Sequence, residues 1–249
     1  MRTKKNPLYL SVAGTMGSGK TTAARLIADA LHFHLVEENF GENAFLPRFY
    51  KRMNRWAFHS QTFFLMEKIN QLMEIGKEGA CPSKPGGRSG VILSPPAGGS
   101  KDPVRNKATH INGIVQDTPI EQDVFSYAKA QHVLGNMDDA EWRLYEKIYT
   151  TFEPHLPKPD LIIYLETSLD EVVRRIASRG REYEKKIPKS YLILLEKLNQ
   201  EWMKENKNRT FLKIKTDGLN IVTSTTAQKK FIHQLCSEFE NMHLVTLAC

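Results

Sequence analysis

Apolar residues recur along this chain in two rhythms. Leu8 to Ala13 (LYLSVA), His34 to Glu37 (HLVE), Ile111 to Gln116 (INGIVQ) and Leu161 to Leu165 (LIIYL) are short runs that predict strands. The last is apolar throughout, as a strand buried on both faces must be. Between them, apolar residues fall three and four apart. That spacing predicts helices over Thr22 to Leu31, Arg55 to Ile75, Asp138 to Thr151, Pro188 to Lys207 and Thr225 to Met242. Pro119 suits the first turn of a further helix, and Ser168-Leu169-Asp170-Glu171 reads as a capping box opening another. A last strand comes from either Phe211 to Ile214 or Ile221-Val222. Strands alternating with helices predict an α/β fold with an open, mostly parallel sheet and helices on both faces. A chain of 249 residues is long enough to build this as one domain, 1–249.

The rhythm stops between Lys77 and His110. Pro82, Pro85, Pro95, Pro96 and Pro103 alternate with Gly86, Gly87, Gly90, Gly98 and Gly99, and Val91-Ile92-Leu93 is the one apolar island. Such a stretch buries too little surface to offset its ordering entropy, so it predicts a flexible surface insertion.

The first strand runs into Gly14-Thr15-Met16-Gly17-Ser18-Gly19-Lys20-Thr21, which satisfies every fixed position of a phosphate loop. Strand, glycine turn and helix follow in the required order. Gly14, Gly17, Ser18 and Gly19 let successive N–H groups turn inward on a polyphosphate, and Lys20, Thr21 and Thr22 open the helix whose positive end adds to that field. Lys20 is expected at the outer phosphates and Thr21 on magnesium. A plain glycine-serine turn would leave the lysine and threonine without a purpose.

Composition narrows the ligand. The net charge is +7, but much of the excess lies near the loop, in Arg48 to Arg55 and from Arg174 to Lys186. Local positive potential of that kind favours a small anionic ligand over a nucleic-acid polymer. No run is long enough to cross a bilayer, and the basic start MRTKKNP lacks the apolar stretch of a secretory signal. Cys81, Cys236 and Cys249 are scattered, which suits a reducing, cytoplasmic setting and predicts neither a disulfide frame nor a metal site.

Other polar residues fall where chemistry is expected in such a sheet. Glu37-Glu38 and Asp117 each close a predicted strand beside the loop; an acid in the position of Asp117 commonly helps bind the nucleotide's magnesium. Gln61 and Lys68 share one face of the long helix, which lines either a pocket or a solvated edge. Asp123 and Tyr127 lie four apart on one helical face, the acid suited to a donor edge and the ring to an aromatic ligand or to core packing. Arg175, Arg179 and Arg181, with Gly180 and Glu184, suggest a lid closing over phosphates, a basic surface turn being the alternative.

Taken together these residues resemble the deoxyribonucleoside kinase family along nearly the whole chain outside 77–110. Glu38, followed by Asn43, Leu46 and Phe49-Tyr50, is similar to the E-P motif whose glutamate takes the 5′-hydroxyl proton. The resemblance implies that Tyr50 binds the sugar 3′-hydroxyl, that Gln61 and Asp123 read the nucleobase, and that Asp117 lies near magnesium. Arg175, Arg179, Arg181 and Glu184 match the lid pattern R-x-x-x-R-x-R-x-x-E, which implies arginines on ATP phosphates and a glutamate on the sugar. It further implies a P-loop kinase fold, ATP and Mg2+ as cofactors, a nucleoside substrate and a homodimer. Three positions depart from the pattern. Thr118 follows Asp117 where an arginine is usual, Asn39 replaces the proline of E-P, and Lys68 stands in for a base-contacting arginine. Arg48 or Arg52 is a candidate substitute for the missing guanidinium. The expected reaction is ATP-dependent phosphorylation of a deoxynucleoside 5′-hydroxyl, with a slight lean towards purines. A nucleoside monophosphate kinase or a catalytically impaired nucleotide binder of the same fold are the alternatives.

Overall fold

The computed structural model describes residues 8–38, 42–77, 113–184 and 187–242. The insertion beyond Lys77, the start of the third predicted strand at Ile111 and the departure at Asn39 lie outside them. Five strands form one sheet in the order β2-β3-β1-β4-β5, every pairing parallel: β1 (Leu8–Gly14), β2 (His34–Val36), β3 (Gly113–Asp117), β4 (Leu161–Glu166) and β5 (Phe211–Lys215). Of the two candidates for the last strand, Phe211 onward is the one that pairs. Ile221 instead buries its side chain in the core, and Val222 is exposed.

Hydrophobic burial explains the two layers. On one face Leu10, Val12, Ile163 and Ile214 pack against α1 (Lys20–Leu31) and α9 (Thr225–Asn241), through Ile27, Phe231, Leu235 and Phe239. On the other, Tyr9 and Ile114 meet α3 (Met53–Lys77) and α6 (Asp139–Phe152), through Leu65, Ile69, Leu72, Tyr145 and Tyr149. Each such fully buried side chain contributes about 1.5–3 kcal/mol relative to exposure. The short helix α2 (Leu46–Lys51) bridges β2 and α3, anchored by Leu46 and Phe49. Two further helices, α7 (Leu169–Arg179) and α8 (Lys189–Glu205), pack together over the phosphate loop through Val172, Ile176 and Leu192.

Two local expectations are corrected. The helix after Pro119 is not uniform: α4 (Ile120–Gln122) passes into a π-helical stretch, Asp123–Ala128, before α5 (Lys129–Val133). Such wide turns concentrate at functional sites because they re-aim side chains. The capping box at Ser168 is only half formed. Its hydroxyl accepts from Glu171 N–H at 3.4 Å, but the Ser168 N–H donates to Asp217, and the Glu171 carboxylate is taken by Arg174 and Arg175. A complete box forms instead between Asp138 and Glu141 at the head of α6.

No helix among the described residues is long and apolar enough to cross a membrane.

Candidate active site

The register of the sheet assembles the site. β1 is central, and Val12 pairs with Asp117 while Gly14 pairs with Leu165, so the phosphate loop emerges between the carboxyl ends of β3 and β4. This is the edge at which an open α/β sheet binds ligands. Gly17 has φ +82°, and a Cβ there would lie 2.9 Å from Ile176 Cγ1. At Gly14, with φ +150°, a Cβ would meet Ser18 Oγ at 2.6 Å. Only glycine lets the loop close so tightly. No side chain caps α1, which leaves its first-turn N–H groups for a ligand. The Lys20 ammonium donates to Gly14 O at 2.9 Å and to the Tyr127 hydroxyl at 2.9 Å. Burial lowers its pKa, an effect opposed by the carboxylates of Asp117, Glu38 and Asp123.

The loop rests on polar groups that the sequence reading missed. Gln122 accepts from Gly14 N–H at 3.2 Å and donates to Gly14 O at 2.9 Å and to Asn199 Oδ1 at 2.8 Å. Asn199 in turn donates to Thr15 Oγ1, whose own hydroxyl donates to Glu196. Gln122 and Asn199 are fully buried. A polar residue at an apolar helical position was the available signal, and its partner was not readable without the fold.

Thr21 Oγ1 donates to Asp117 Oδ2 at 2.6 Å. One hydroxyl and one carboxylate beside a phosphate cradle form a hard-oxygen pair that fits Mg2+, which takes few protein ligands and completes its shell with water and phosphate.

Opposite the loop lies a buried charge cluster. Glu37 pairs with Arg25 at the surface, whereas Glu38 turns inward. The Lys68 ammonium, 2% exposed, lies 2.8 Å from Asp123 Oδ2 and 3.4 Å from Glu38 Oε1, and donates to Thr118 O at 2.7 Å. Burial raises the Glu38 carboxyl to about 7, with Lys68 opposing and the nearby acids Asp123 and Asp117 reinforcing it. Asp123 is raised too, again by burial against the pull of Lys68. Burial alone would lower Lys68, but Asp123 and Glu38 outweigh it and hold the ammonium charged. Thr118 has φ +66°, a left-handed conformation that a β-branched residue rarely adopts, at a cost of about 1–3 kcal/mol.

The residues expected to form a lid are tied down in this conformation. Arg179 donates to Glu184 Oε2 at 2.6 Å, and Arg181 reaches Glu184 Oε1 at 3.3 Å. Arg175 bonds to Glu171, to Ser18 O, to Thr216 Oγ1 and O, and to Leu219 O. All five N–H groups of its guanidinium are thereby engaged, and it clamps the loop to the turn after β5.

A cavity of about 600 Å³ joins these parts. Gly17, Gly19, Lys20, Thr21 and Thr22 line the phosphate-loop end; Glu38, Tyr50, Gln61 and Asp123 line the other, with Tyr127 meeting Lys20 where the two join; Asp117, Arg175, Arg179, Arg181 and Glu184 complete the lining. Gly14, Ser18 and Lys68 stand behind its wall rather than in it, and Arg48 and Arg52 do not line it either; the Arg48 guanidinium lies over the Trp56 ring. Phe64, Leu46 and Phe49 add apolar surface that suits a planar ring.

Comparison with known proteins agrees with this architecture. The family model described as deoxynucleoside kinase matches residues 10–240. The chain is 27% identical over 230 residues to the deoxyadenosine/deoxycytidine kinase of Bacillus subtilis (strain 168), covering 92% of this chain and 91% of that one. With the deoxyguanosine kinase of the same organism it shares 27% over 184 residues, 74% of this chain and 72% of the other. The solved structure of deoxyadenosine kinase from M. mycoides with bound dCTP superposes with a TM-score of 0.68 at 21% identity, over 92% of this chain and 100% of that one. The chain belongs to the deoxynucleoside kinase family, enzymes that phosphorylate deoxynucleosides.

Proposed function

We propose that the protein transfers the γ-phosphoryl group of ATP to the 5′-hydroxyl of a deoxyribonucleoside, with Glu38 as the base. One observation carries the reading: Glu38, Lys20 and the lid arginines face a single cavity, with room between them for an uncharged sugar and a base. ATP lays its phosphates along Gly17 to Thr22 with Lys20 at their outer end. The nucleobase lies against Gln61, Asp123 and Tyr127, and the sugar meets Tyr50 and Glu184. The 5′-oxygen attacks the γ-phosphorus in line, its proton passes to the Glu38 carboxylate, and ADP departs. A carboxyl titrating at about 7 is well matched to that role at neutral pH. Lys20, Arg179 and Arg181 supply the positive charge that the transferring group requires, since positioning and charge stabilisation carry most of phosphoryl-transfer catalysis. Thr21 and Asp117 would hold Mg2+, which neutralises phosphate charge when bound. A homodimer and a cytoplasmic setting belong to the same reading, and gel filtration tests the first.

An acceptor panel tests the reaction: radiolabelled ATP with each of four deoxynucleosides and with thymidine monophosphate. The expected result is a labelled 5′-monophosphate from at least one nucleoside. Transfer to the monophosphate alone would mark a nucleotide kinase, and ATP binding without transfer to any acceptor would mark a silent binder. The family match favours neither.

A further inference from the structure

We infer that Lys68 is a positioning residue rather than a substrate ligand: one buried ammonium, shared by Glu38 and Asp123, orients the proton acceptor and joins it to the group that reads the base. The inference rests on the kinase reading above. Its starting point is the donor count. A lysine ammonium has three N–H groups, and Lys68 Nζ has three oxygen neighbours, Asp123 Oδ2 at 2.8 Å, Thr118 O at 2.7 Å and Glu38 Oε1 at 3.4 Å. The ammonium is thus enclosed by protein oxygens, hydrogen-bonded to Thr118 and Glu38 and ion-paired with Asp123. The side chain lies behind the cavity wall, while Glu38, Thr118 and Asp123 form that wall. A nucleoside therefore meets the three acceptors and not the lysine.

The arrangement answers an electrostatic problem. Glu38 and Asp123 line the same part of the cavity with Asp117 near enough to raise both, and besides Lys68 the cation that pulls on both is Lys20, which serves the phosphate loop. Two buried carboxylates side by side do not both stay ionised unless a cation lies between them. Lys68 is that cation, and the strained backbone of Thr118 turns its carbonyl towards the same ammonium. The sharing is unequal, with the shorter contact to Asp123. A nucleobase donor that engages Asp123 weakens that claim and leaves the ammonium freer to serve Glu38. Recognition of the base and readiness of the proton acceptor are thus linked through one nitrogen.

Steady-state kinetics on the full chain test this, with binding of a fluorescent ATP analogue as a control for folding. Lys68→Met fills the same space without charge. It is expected to lower kcat by about 100-fold while ATP affinity stays within about twofold, the magnitude of impaired general-base catalysis. Lys68→Arg is expected to recover at least about a tenth of the wild-type kcat, because it restores the charge. Asp123→Asn should lower kcat in the wild type but add little in the Lys68→Met background, the non-additivity of groups that act through one another. If Lys68 only packs, Lys68→Met keeps kcat within about threefold, and the inference falls. Additive losses at Lys68 and Asp123 would overturn the linkage. If Lys68→Met alone does not bind ATP, the Lys68→Met/Asp123→Asn pair, which removes one charge of each sign, takes its place: ATP binding regained with kcat close to that of Asp123→Asn alone supports the inference, and wild-type kcat sinks it. Failure of both to bind ATP would make Lys68 a folding element and overturn it too. Failure of the underlying reading looks different, namely no nucleoside phosphorylated by the wild type, or near-normal turnover by Glu38→Gln.

Discussion

The two ends of the cavity are built on different principles. The phosphate end is one contiguous stretch, strand, loop and helix, whose working parts are mainly backbone N–H groups fixed by glycine conformations. The end proposed to take the nucleoside draws Glu38 from the end of β2, Gln61 and Lys68 from α3, and Asp123 and Tyr127 from the π-helical stretch. Its working parts are side chains, and three of them share a buried charge. A backbone site of the first kind depends on shape and on polar groups that brace it from below. A side-chain site of the second kind depends on a balance of charges, so small chemical changes should cost it more.

That contrast can be tested by graded perturbation. The largest effect is expected at Glu38→Gln, an isosteric change that removes the proton acceptor. Turnover should fall by about 100- to 10,000-fold with ATP affinity unchanged, measured by initial rates and ATP titration. Loss of ATP binding in that variant would erase the distinction between the two ends. Next comes Leu65→Ala, which hollows the fully buried face of α3 that carries Gln61 and Lys68. A loss of about 2–5 kcal/mol in unfolding free energy is expected, with nucleoside KM rising more than ATP KM. Gln122→Met is the matching cut beneath the loop. It removes both Gln122 bonds to Gly14 and leaves Lys20 on the carbonyl, and denaturant unfolding should report a loss of about 1–3 kcal/mol, with ATP KM now the more affected constant. The smallest effect is set by pH. On the proposed reading Glu38 acts ionised, and burial pushes its carboxyl up to about 7, with Lys68 and Lys20 opposing and Asp123 and Asp117 reinforcing the rise. The rate should therefore rise with pH up to about 7 and fall about tenfold for each unit below it, and this acid limb should be missing from the residual activity of Glu38→Gln. An acid limb near the ordinary carboxylate range would show that burial does not govern this residue.

Much of the molecule was legible from residue order, for physical reasons that particular elements make plain. A strand buried on both faces has no alternative but an apolar run, so Leu161 to Glu166 announced itself. The phosphate loop was legible because its chemistry resides in backbone geometry, and only certain residues permit that geometry. Gln61, on a face with Lys68, and Asp123, on a face with Tyr127, were picked out by helical spacing, and both line the cavity. Arg175 was found in the same way, but its five donors turn out to serve protein acceptors. Spacing places a guanidinium without saying what it will meet. The π-helical turn at Asp123 and the left-handed Thr118 were illegible, since both depend on packing from remote segments to hold a costly backbone in place.

By itself, then, the sequence determined the layered α/β architecture, the glycine-rich loop between β1 and α1 and the identities of the polar groups around it. These follow from hydrophobic period and local backbone sterics, which act over a few residues. Only the tertiary structure decided how the charges pair: that Lys68 serves Glu38 and Asp123 together, that Gln122 braces Gly14, and that Glu38 rather than Glu37 faces the cavity. Coulomb energy and desolvation depend on distance through space, and residues 30 to 108 positions apart along the chain become neighbours only when the sheet has formed.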